Sequence, residues 1–363
     1  GHKVVECFEK MRSENLSPDD VNFLSILKAC ASTKSIEKGE QIHDEIVRKG
    51  LLEKNVVVST ALVDMYAKCG MMDKAKEVLE GLLVHDVVSW NAMIATFAQC
   101  GKSAHSISLW EKMMCEGFTP DKVTFVCLID ACAKQMALIE GIRLHACVHV
   151  LQYDRDIVIG TALVSMYGKC KSLEEAYKGF NMIHQSDLTS WNALLSGVCQ
   201  HGKRKSAFRI YMQMLQEGVM QDKVSLVNLL SICAIEGGLG NGKMVHAQIM
   251  CSELTDGYNS TMGNALVNMY GKCGSLCNTL VAFNRKAYKD VASWNAVIGA
   301  AALNGYGNLA LELFDRMIVE GKKPNSITFI CLLFACNFAG CLDEGKHVFV
   351  TMGEFGIKHS FDH

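Results

Sequence analysis

The chain has 363 residues, of which 50% are hydrophobic and 20% are charged, so it can form a packed interior and is not a disordered polymer. Its 36 Lys+Arg residues nearly balance its 38 Asp+Glu residues, which gives a formal net charge of −2. This charge excludes a domain that binds nucleic acid through a general excess of positive charge. Any nucleic-acid binding must therefore come from a locally arranged groove.

The counts of particular residue types also indicate which folds and which kinds of site to expect. Three prolines in the whole chain favour long helices, whose interiors proline disrupts. The 17 cysteines include no Cys-x-x-Cys pair, so we expect buried, reduced thiols and neither a disulfide framework nor a metal site. No cofactor is expected. No apolar run reaches the roughly 18 residues that a membrane span needs. The chain begins at Gly1 without a signal-peptide pattern, and we interpret it as part of a longer protein.

Long internal repeats organise the chain. Trp90, Trp191 and Trp294 each lie in Ser-Trp-Asn-Ala, and they are 101 and 103 residues apart. The same two offsets separate three segments that read TALVDMYAKCG, TALVSMYGKCK and NALVNMYGKCG. Such agreement between independent registers predicts a repeated architecture with a long period of about 101 residues.

Each long period divides into three shorter repeats, the third of which has 31 residues. A two-residue insertion near residues 253–259 accounts for the longer second interval. The predicted repeats cover residues 1–19 (a partial repeat), 20–55, 56–86, 87–121, 122–156, 157–187, 188–222, 223–259, 260–290, 291–325 and 326–360.

Each repeat is predicted to be a helical hairpin. In repeat 87–121, Trp90, Ile94 and Phe97 fall on one helix face, Gly101 marks a turn, and a second apolar stripe ends before Pro120. A hairpin this short cannot bury both faces alone, so neighbouring hairpins must stack. The predicted fold is therefore all-α, a solenoid of about ten helix–turn–helix repeats of 31–37 residues.

These repeats resemble the pentatricopeptide repeat family, and specifically its plant PLS class, which cycles through P-, L- and S-type repeats. The resemblance rests on VVSWNAMIATFAQCGK (P-type), KVTFVCLIDACAK (L-type) and VVVSTALVDMYAKCG (S-type), and it extends over essentially the whole chain. It implies a right-handed superhelix that binds single-stranded RNA at one base per repeat. It further implies an organellar C-to-U RNA-editing factor of the chloroplast or mitochondrion.

The chain carries no deaminase motif of the zinc type, so we do not expect this segment to be an enzyme. Other editing factors are candidate partners, whereas a membrane or a small-molecule substrate is not expected.

The resemblance also assigns roles to particular positions of the S- and P-type repeats. The fifth residue hydrogen-bonds the base and the last residue supports that choice, which predicts the pairs Thr60 with Asp86, Asn91 with Asp121, Thr161 with Asp187, Asn192 with Asp222, Asn264 with Asp290, and Asn295 with Asn325. The second residue stacks on the base, and the residues at that position are Val57, Val88, Val158, Thr189, Thr261 and Ala292. The last three are smaller or more polar and should stack less well.

By the family's code, Thr with Asp favours G, Asn with Asp favours U, and Asn with Asn favours a pyrimidine. The implied target is G-U-n-G-U-n-U-Y, in which n faces an L-type repeat. The L-type repeats carry the apolar fifth residues Leu24, Val126, Val227 and Ile330, which cannot hydrogen-bond a base edge.

Other interpretations of the same residues stay open. Carboxylates at the repeat ends are suited to helix N-termini, and Ser89 is a candidate N-cap. The three tryptophans are expected in the core, and His43, His145 and His246 are expected to pack at interfaces, not to bind metal. Residues 237–242 resemble a phosphate loop but fall where a turn is predicted.

The competing hypothesis for the whole chain is a protein-binding scaffold of the tetratricopeptide kind, which the near-neutral charge and the hairpin architecture would suit. Roles in RNA stabilisation or splicing are further alternatives.

Overall fold

The computed structural model describes residues 2–14, 16–81, 86–251 and 261–357, and in these ranges it contains twenty-two helices and no strand. The predicted repeat limits at residues 1, 259, 260 and 360, and the whole of the predicted insertion at 253–259, lie outside the described residues. The chain forms two compact halves, Gly1–Gln185 and Ser186–His363. The all-α prediction is confirmed for the described residues.

The described part of the N-terminal half contains twelve helices. They are α1 (His2–Ser13), α2 (Asp20–Thr33), α3 (Ile36–Arg48), α4 (Leu51–Lys54), α5 (Val56–Lys68), α6 (Met72–Glu80), α7 (Val87–Gln99), α8 (Ser103–Cys115), α9 (Lys122–Gln135), α10 (Leu138–Val150), α11 (Ile157–Lys169) and α12 (Leu173–Met182).

Residues 186–251 and 261–357 of the C-terminal half contain ten helices. They are α13 (Leu188–Gln200), α14 (Arg204–Gln216), α15 (Lys223–Glu236), α16 (Leu239–Cys251), α17 (Thr261–Lys272), α18 (Leu276–Asn284), α19 (Val291–Leu303), α20 (Gly307–Val319), α21 (Ser326–Ala339) and α22 (Leu342–Glu354).

The helices of each half form two layers. We call α2, α5, α7, α9 and α11 the first helices of the N-terminal half, and α13, α15, α17, α19 and α21 those of the C-terminal half. Within each half, every first helix packs against the next first helix along the chain. The second helices α3, α8, α10, α14, α16, α18 and α20 pack against their own first helix and the following one. The first helices thus form a continuous layer to which all hairpins of a half contribute.

The core lies between the two layers. Trp90, Trp191 and Trp294 are buried, which confirms that they are core residues. Trp294 packs edge-on against Phe283, with the ring centroids 4.8 Å apart. Such large aromatic side chains contribute much of the apolar area that holds a hairpin in its stack.

The glycine-rich stretch at residues 237–242 serves the helical hairpin. Gly237 has φ +66° and ends α15 in the left-handed conformation, which glycine adopts without strain. The turn is shorter than predicted, because Leu239 already begins α16 and Gly242 is buried inside that helix. The stretch therefore terminates and packs helices.

The cysteines only partly follow the prediction. All 17 are free, and Cys30, Cys132, Cys199 and Cys233 are among the buried ones, whereas Cys7 is among those exposed. Burial raises the pKa values of the Cys132 and Cys199 thiols to about 12, so both stay protonated at neutral pH. No helix within the described ranges is long and apolar enough to cross a bilayer.

One helix contact recurs three times with the same side chains. His43, His145 and His246 place Nδ1 2.9, 2.8 and 2.8 Å from the hydroxyl groups of Tyr66, Tyr167 and Tyr270, respectively. Each pair joins a second helix (α3, α10 or α16) to the first helix that follows it. The expectation that these histidines pack at helix interfaces is thus confirmed.

A glycine four residues before each histidine lets the helices approach closely. A Cβ atom on Gly141, for example, would lie 2.6 Å from the sulfur of Met166. Gly39 and Gly242 stand in the same relation to Met65 and Met269. Because real Cβ atoms do not come that close, any side chain at these positions would force the methionine to move.

These histidines predict a dependence of stability on pH. Burial lowers the pKa of His246 below its ordinary value, and the charge of Arg285 acts in the same direction. Below about pH 6.5 the unfolded chain therefore binds protons that the folded chain resists, so the free energy of unfolding should fall on acidification. We expect urea denaturation, followed by circular dichroism, to show lower stability at about pH 5.5 than at about pH 7.5. The variant His246→Asn should show a smaller difference, and an unchanged difference would contradict this account.

Candidate nucleic-acid interface

The last residue of each predicted P- and S-type repeat caps the first helix of the next repeat. Asp86 accepts a hydrogen bond from the backbone N–H of Ser89 (2.7 Å), and the Ser89 hydroxyl accepts one from the N–H of Asp86 (3.0 Å). The N-cap is therefore Asp86, and the prediction of Ser89 was wrong because Ser89 is the reciprocal partner three residues later. Asp121, Asp222 and Asn325 cap with the same reciprocal pair of bonds. Asp187 and Asp290 also accept from the backbone N–H three residues later, but there the serine hydroxyl donates to the cap carboxylate.

The fifth residue of a repeat reaches the same cap when it is asparagine. Asn91 Nδ2 donates to Asp121 Oδ1 (2.9 Å), and the Thr124 hydroxyl donates to Asn91 Oδ1 (2.5 Å). Asn91 lies in the first turn and a half of α7 and Asp121 immediately before α9, so the bond joins neighbouring first helices. Burial alone would raise the pKa of Asp121, but the hydrogen bonds from Thr124 and Asn91 hold it below its ordinary value. The carboxylate is therefore ionised at neutral pH.

The same bridge recurs in the C-terminal half with small differences. Asn295 Nδ2 donates to Asn325 Oδ1 (3.0 Å), and the Thr328 hydroxyl donates to Asn295 Oδ1 (2.6 Å). Asn192 Nδ2 donates to Asp222 Oδ1 (3.1 Å). The structure thus brings these predicted pairs together, although about 30 residues of chain separate their members.

In the fourth asparagine pair the bond is longer. Asn264 Nδ2 lies 3.5 Å from Asp290 Oδ1. The amide oxygen of Asn264 contacts the ammonium group of Lys286 and lies 2.8 Å from the hydroxyl oxygen of Ser293. Lys286 was not among the predicted site residues, and the only sign of it in the sequence is a lysine at the position where repeat 157–187 has Ile183.

The two predicted threonine pairs are arranged differently. The Thr60 hydroxyl donates to the carbonyl oxygen of Val56 (2.7 Å), one turn earlier in α5. Thr60 and Asp86 line the same cleft, which is described below. Thr161 is half-buried on α11, and Asp187 caps α13 by accepting from the N–H of Ser190 at 2.8 Å.

The second residue of each repeat is exposed although it is often apolar. Val57, Val88 and Val158 keep 62%, 73% and 61% of their surface accessible. Thr189, Thr261 and Ala292 are exposed as well. The L-type repeats, for which no stacking residue was predicted, show the same feature at their second positions, which are Val21, Val123, Val224 and Ile327. The repeat register alone predicts that these four residues occupy the same position as the stacking residues of the other repeats.

A cleft in the N-terminal half shows how these positions combine. It has a volume of about 450 Å³ and runs across α2, α5 and α7. Val57 and Val88 line it together with Thr60 and Asp86, and Lys68 lies on its wall. Polar groups that can hydrogen-bond a planar ligand thus occur in one cleft with two exposed valines that can cover its faces.

Lysines supply positive charge along the same helix layer. Lys68, Lys134, Lys169 and Lys272 are exposed and occupy the last turn of α5, α9, α11 and α17. Lys68 Nζ lies 2.8 Å from Asp64, which offsets part of its charge. A near-zero net charge of the chain is therefore compatible with phosphate contacts, because these require only local lysines.

The hydrogen bonds that join Asn91, Asp121 and Thr124 predict a loss of stability when the Thr124 hydroxyl is removed. Thr124 is buried, and Thr124→Val would leave the Asn91 amide oxygen without its donor and break the capping box of α9. We expect the free energy of unfolding to fall by about 1–3 kcal/mol. The matched control Thr124→Ser keeps the hydroxyl, so its free energy of unfolding should stay close to that of the natural protein. Equal urea midpoints for the two variants would contradict the bridge.

Comparison with known proteins agrees with this repeat architecture. The family model described as PPR repeat family matches residues 85–134 and 289–337. The model described as PPR repeat matches residues 21–51, 57–87, 161–188 and 189–219.

Curated relatives include pentatricopeptide repeat-containing proteins of Arabidopsis thaliana. One is 33% identical over 351 residues, which are 96% of this chain and 48% of that protein. Another, named as chloroplastic, is 34% identical over 99% of this chain and 44% of that protein. A third, named as mitochondrial, is 32% identical over 100% of this chain and 42% of that protein. The chain spans about half the length of these relatives.

Solved structures share the fold at low sequence identity. The maize pentatricopeptide repeat protein PPR10 matches with a TM-score of 0.65 and 17% identity, over 99% of this chain and 57% of that chain. PPR10 in complex with an 18-nucleotide psaJ RNA element matches with a TM-score of 0.67 and 17% identity, over 99% and 68% of the two chains. These likenesses confirm the predicted α-solenoid fold. Because the two family models together match more than half of its residues, the chain belongs to the pentatricopeptide repeat family.

Proposed function

We propose that this chain binds single-stranded RNA sequence-specifically, one base per repeat, through the fifth and last residues of its P- and S-type repeats. The observation that carries the proposal is the recurrent pairing of an asparagine with the next helix cap, beside exposed apolar side chains. We assign the repeat limits as predicted from the sequence, with the helix starts at Asp20, Val56 and Val87 among those that support them.

The chemistry of the site suits an unstacked base. A base has two apolar faces and one hydrogen-bonding edge, so its binding needs a flat apolar contact on each face and short polar groups at the edge. Valines at second positions supply the contacts in the cleft across α5 and α7. A cap carboxylate and an asparagine amide supply acceptors and donors, and both are held rigidly by the helices that they join.

The proposed target is G-U-n-G-U-n-U-Y from 5′ to 3′. The two n positions face repeats 122–156 and 223–259, whose fifth residues Val126 and Val227 have no polar side-chain atom for the base edge. The L-type repeats that flank this target have the equally apolar fifth residues Leu24 and Ile330. Their exposed second residues can still stack on a base of any kind, since every base has a π-face. We therefore propose that L-type repeats contribute affinity without selectivity.

A protein-binding scaffold fits these observations less well. Peptide recognition does not require an asparagine at one position and a cap residue about 30 residues later to meet in repeat after repeat. An exposed and mostly apolar residue at the second position of each repeat is likewise unnecessary for it. Both features suit RNA, and the solved PPR10 complex is that of a related fold with an RNA element.

We further propose that the parent protein belongs to the PLS class and specifies a site for C-to-U RNA editing in the chloroplast or mitochondrion. The alternation of P-, L- and S-type repeat lengths supports the class, and relatives named as chloroplastic and mitochondrial support the compartment. The segment itself would be a binding module, and another domain or another editing factor would perform the deamination. The same binding would also serve RNA stabilisation or splicing.

The binding proposal predicts selective affinity for one RNA. In a gel-shift titration, an RNA that contains G-U-n-G-U-n-U-Y should bind more tightly than a scrambled RNA of equal composition, by about tenfold or more. Raising the salt concentration should weaken both complexes, because lysine–phosphate contacts release counterions. Equal affinity for the two RNAs would contradict the proposal.

A single exchange tests the assignment of one repeat to one base. Asn91→Thr converts the pair with Asp121 into the Thr–Asp type and should shift preference at the facing nucleotide from U towards G. The expected loss on the original RNA is about 1–3 kcal/mol, as for one good base contact. An RNA that carries G at that nucleotide should restore binding. Uniform weakening on both RNAs would show that Asn91 is only structural.

A further inference from the structure

Lys286 is a buried cation beneath one of the proposed base-binding pairs. It follows α18, its exposed fraction is 2%, and its backbone N–H donates to the carbonyl oxygen of Phe283 (3.2 Å). Lysine is almost never fully buried unless its charge is paired. The matching position of repeat 157–187 holds Ile183, which is 6% exposed and packs against Gly160, next to Thr161. Lys286 thus occupies a site that an apolar side chain fills in another S-type repeat.

The ammonium group changes the hydrogen bonding of Asn264. In the Asn91 pair the threonine hydroxyl is the donor to the amide oxygen, at 2.5 Å. In the Asn264 pair the corresponding hydroxyl, that of Ser293, lies nearer to Asp290 Oδ1 (2.5 Å) than to the amide oxygen (2.8 Å), and Lys286 Nζ is the donor to that oxygen. Since a serine hydroxyl has only one proton, Lys286 takes over its role at the amide.

The bond between the amide and the cap is weakened as a result. The distance from the asparagine Nδ2 to the cap Oδ1 is 2.9, 3.1 and 3.0 Å in the pairs of Asn91, Asn192 and Asn295, but 3.5 Å for Asn264. A distance of 3.5 Å is at the limit of a hydrogen bond. The amide N–H groups of Asn264 are therefore less engaged with the protein than those of the other three.

The charge of the pair also differs. Burial acts to raise the pKa of Asp290, but hydrogen bonds from Ser293 and the charge of Lys286 hold it below its ordinary value. Burial lowers the pKa of Lys286 and the neighbouring Lys289 adds to this, while Asp290 opposes both. The carboxylate of this repeat thus has a cation beside it, whereas the Asn91 pair presents its carboxylate with neutral partners.

We propose that Lys286 determines the base specificity of repeat 260–290 and makes it accept cytosine as well as uracil. This inference rests on the proposed function. Uracil carries a donor at N3, which a carboxylate acceptor favours, whereas cytosine carries an acceptor there. A neighbouring cation offsets the negative charge that selects for the donor, and the loosened Asn264 amide can donate to the cytosine acceptor.

The test compares two RNAs that differ only at the nucleotide facing repeat 260–290, with U in one and C in the other. We expect the natural protein to bind them within about threefold of each other, and Lys286→Met to prefer U by about tenfold. Lys286→Ile, which copies Ile183, is the second variant and should behave alike. Both variants are expected to fold, because the Ser293 hydroxyl lies 2.8 Å from the Asn264 amide oxygen and can donate to it once the lysine is removed, and circular dichroism checks this.

The matched control is the nucleotide facing repeat 188–222, where Asn192 and Asp222 form the pair without such a lysine. The preference for U over C there should be the same in the natural protein and in both variants. A U-to-C ratio at repeat 260–290 that the variants leave unchanged would overturn the inference. If U is preferred at repeat 188–222 in that case, the proposed function stands. If no nucleotide is discriminated anywhere, the proposed function and the inference both fail.

Discussion

The organisation of this protein depends on one carboxylate or amide oxygen at the start of each first helix whose cap residue the structure describes. Asp121 Oδ1 accepts from the backbone N–H of Thr124, and so satisfies one of the N–H groups in the first turn of α9 that have no partner within the helix. The same atom accepts from the Asn91 amide of the preceding first helix. Because a single oxygen serves both bonds, the start of one helix and the position of the neighbouring side chain are coupled. A helix cap has thereby become part of a surface that can recognise a ligand.

This coupling explains why capping and base recognition do not exclude each other. A carboxylate at a helix N-terminus is favoured by the macrodipole and by the free N–H groups, and no ligand is needed to account for it. The asparagine can add the proposed second function at little cost, since its amide would otherwise need partners of its own on the half-buried surface. Neighbouring helices then fix the amide orientation, and with it the direction in which donors point.

The asparagine–cap pairs differ from one repeat to another in the group that donates to the asparagine oxygen. Thr124 and Thr328 donate to the asparagine oxygen, whereas the Ser225 hydroxyl donates to the carbonyl oxygen of its own cap, Asp222, at 2.9 Å. Lys286 replaces the hydroxyl altogether at Asn264. Repeats with the same pair of residue types thus differ in charge and in free hydrogen-bonding groups. A code that considers only the fifth and last residues leaves this difference out.

Much of the architecture followed from the sequence alone, because hydrophobic periodicity and the spacing of tryptophans repeat along the chain and each hairpin must bury its apolar stripe on a neighbour. The positions of Asn91 and Asp121 followed from the register for the same reason. The sequence did not determine that Ser89 is the partner of a cap, since capping depends on backbone geometry around Asp86. It also did not reveal Lys286, because the surroundings of that ammonium group come from segments more than 20 residues apart. Local patterns set the helices and their order, whereas only tertiary packing decided which polar atoms meet between them.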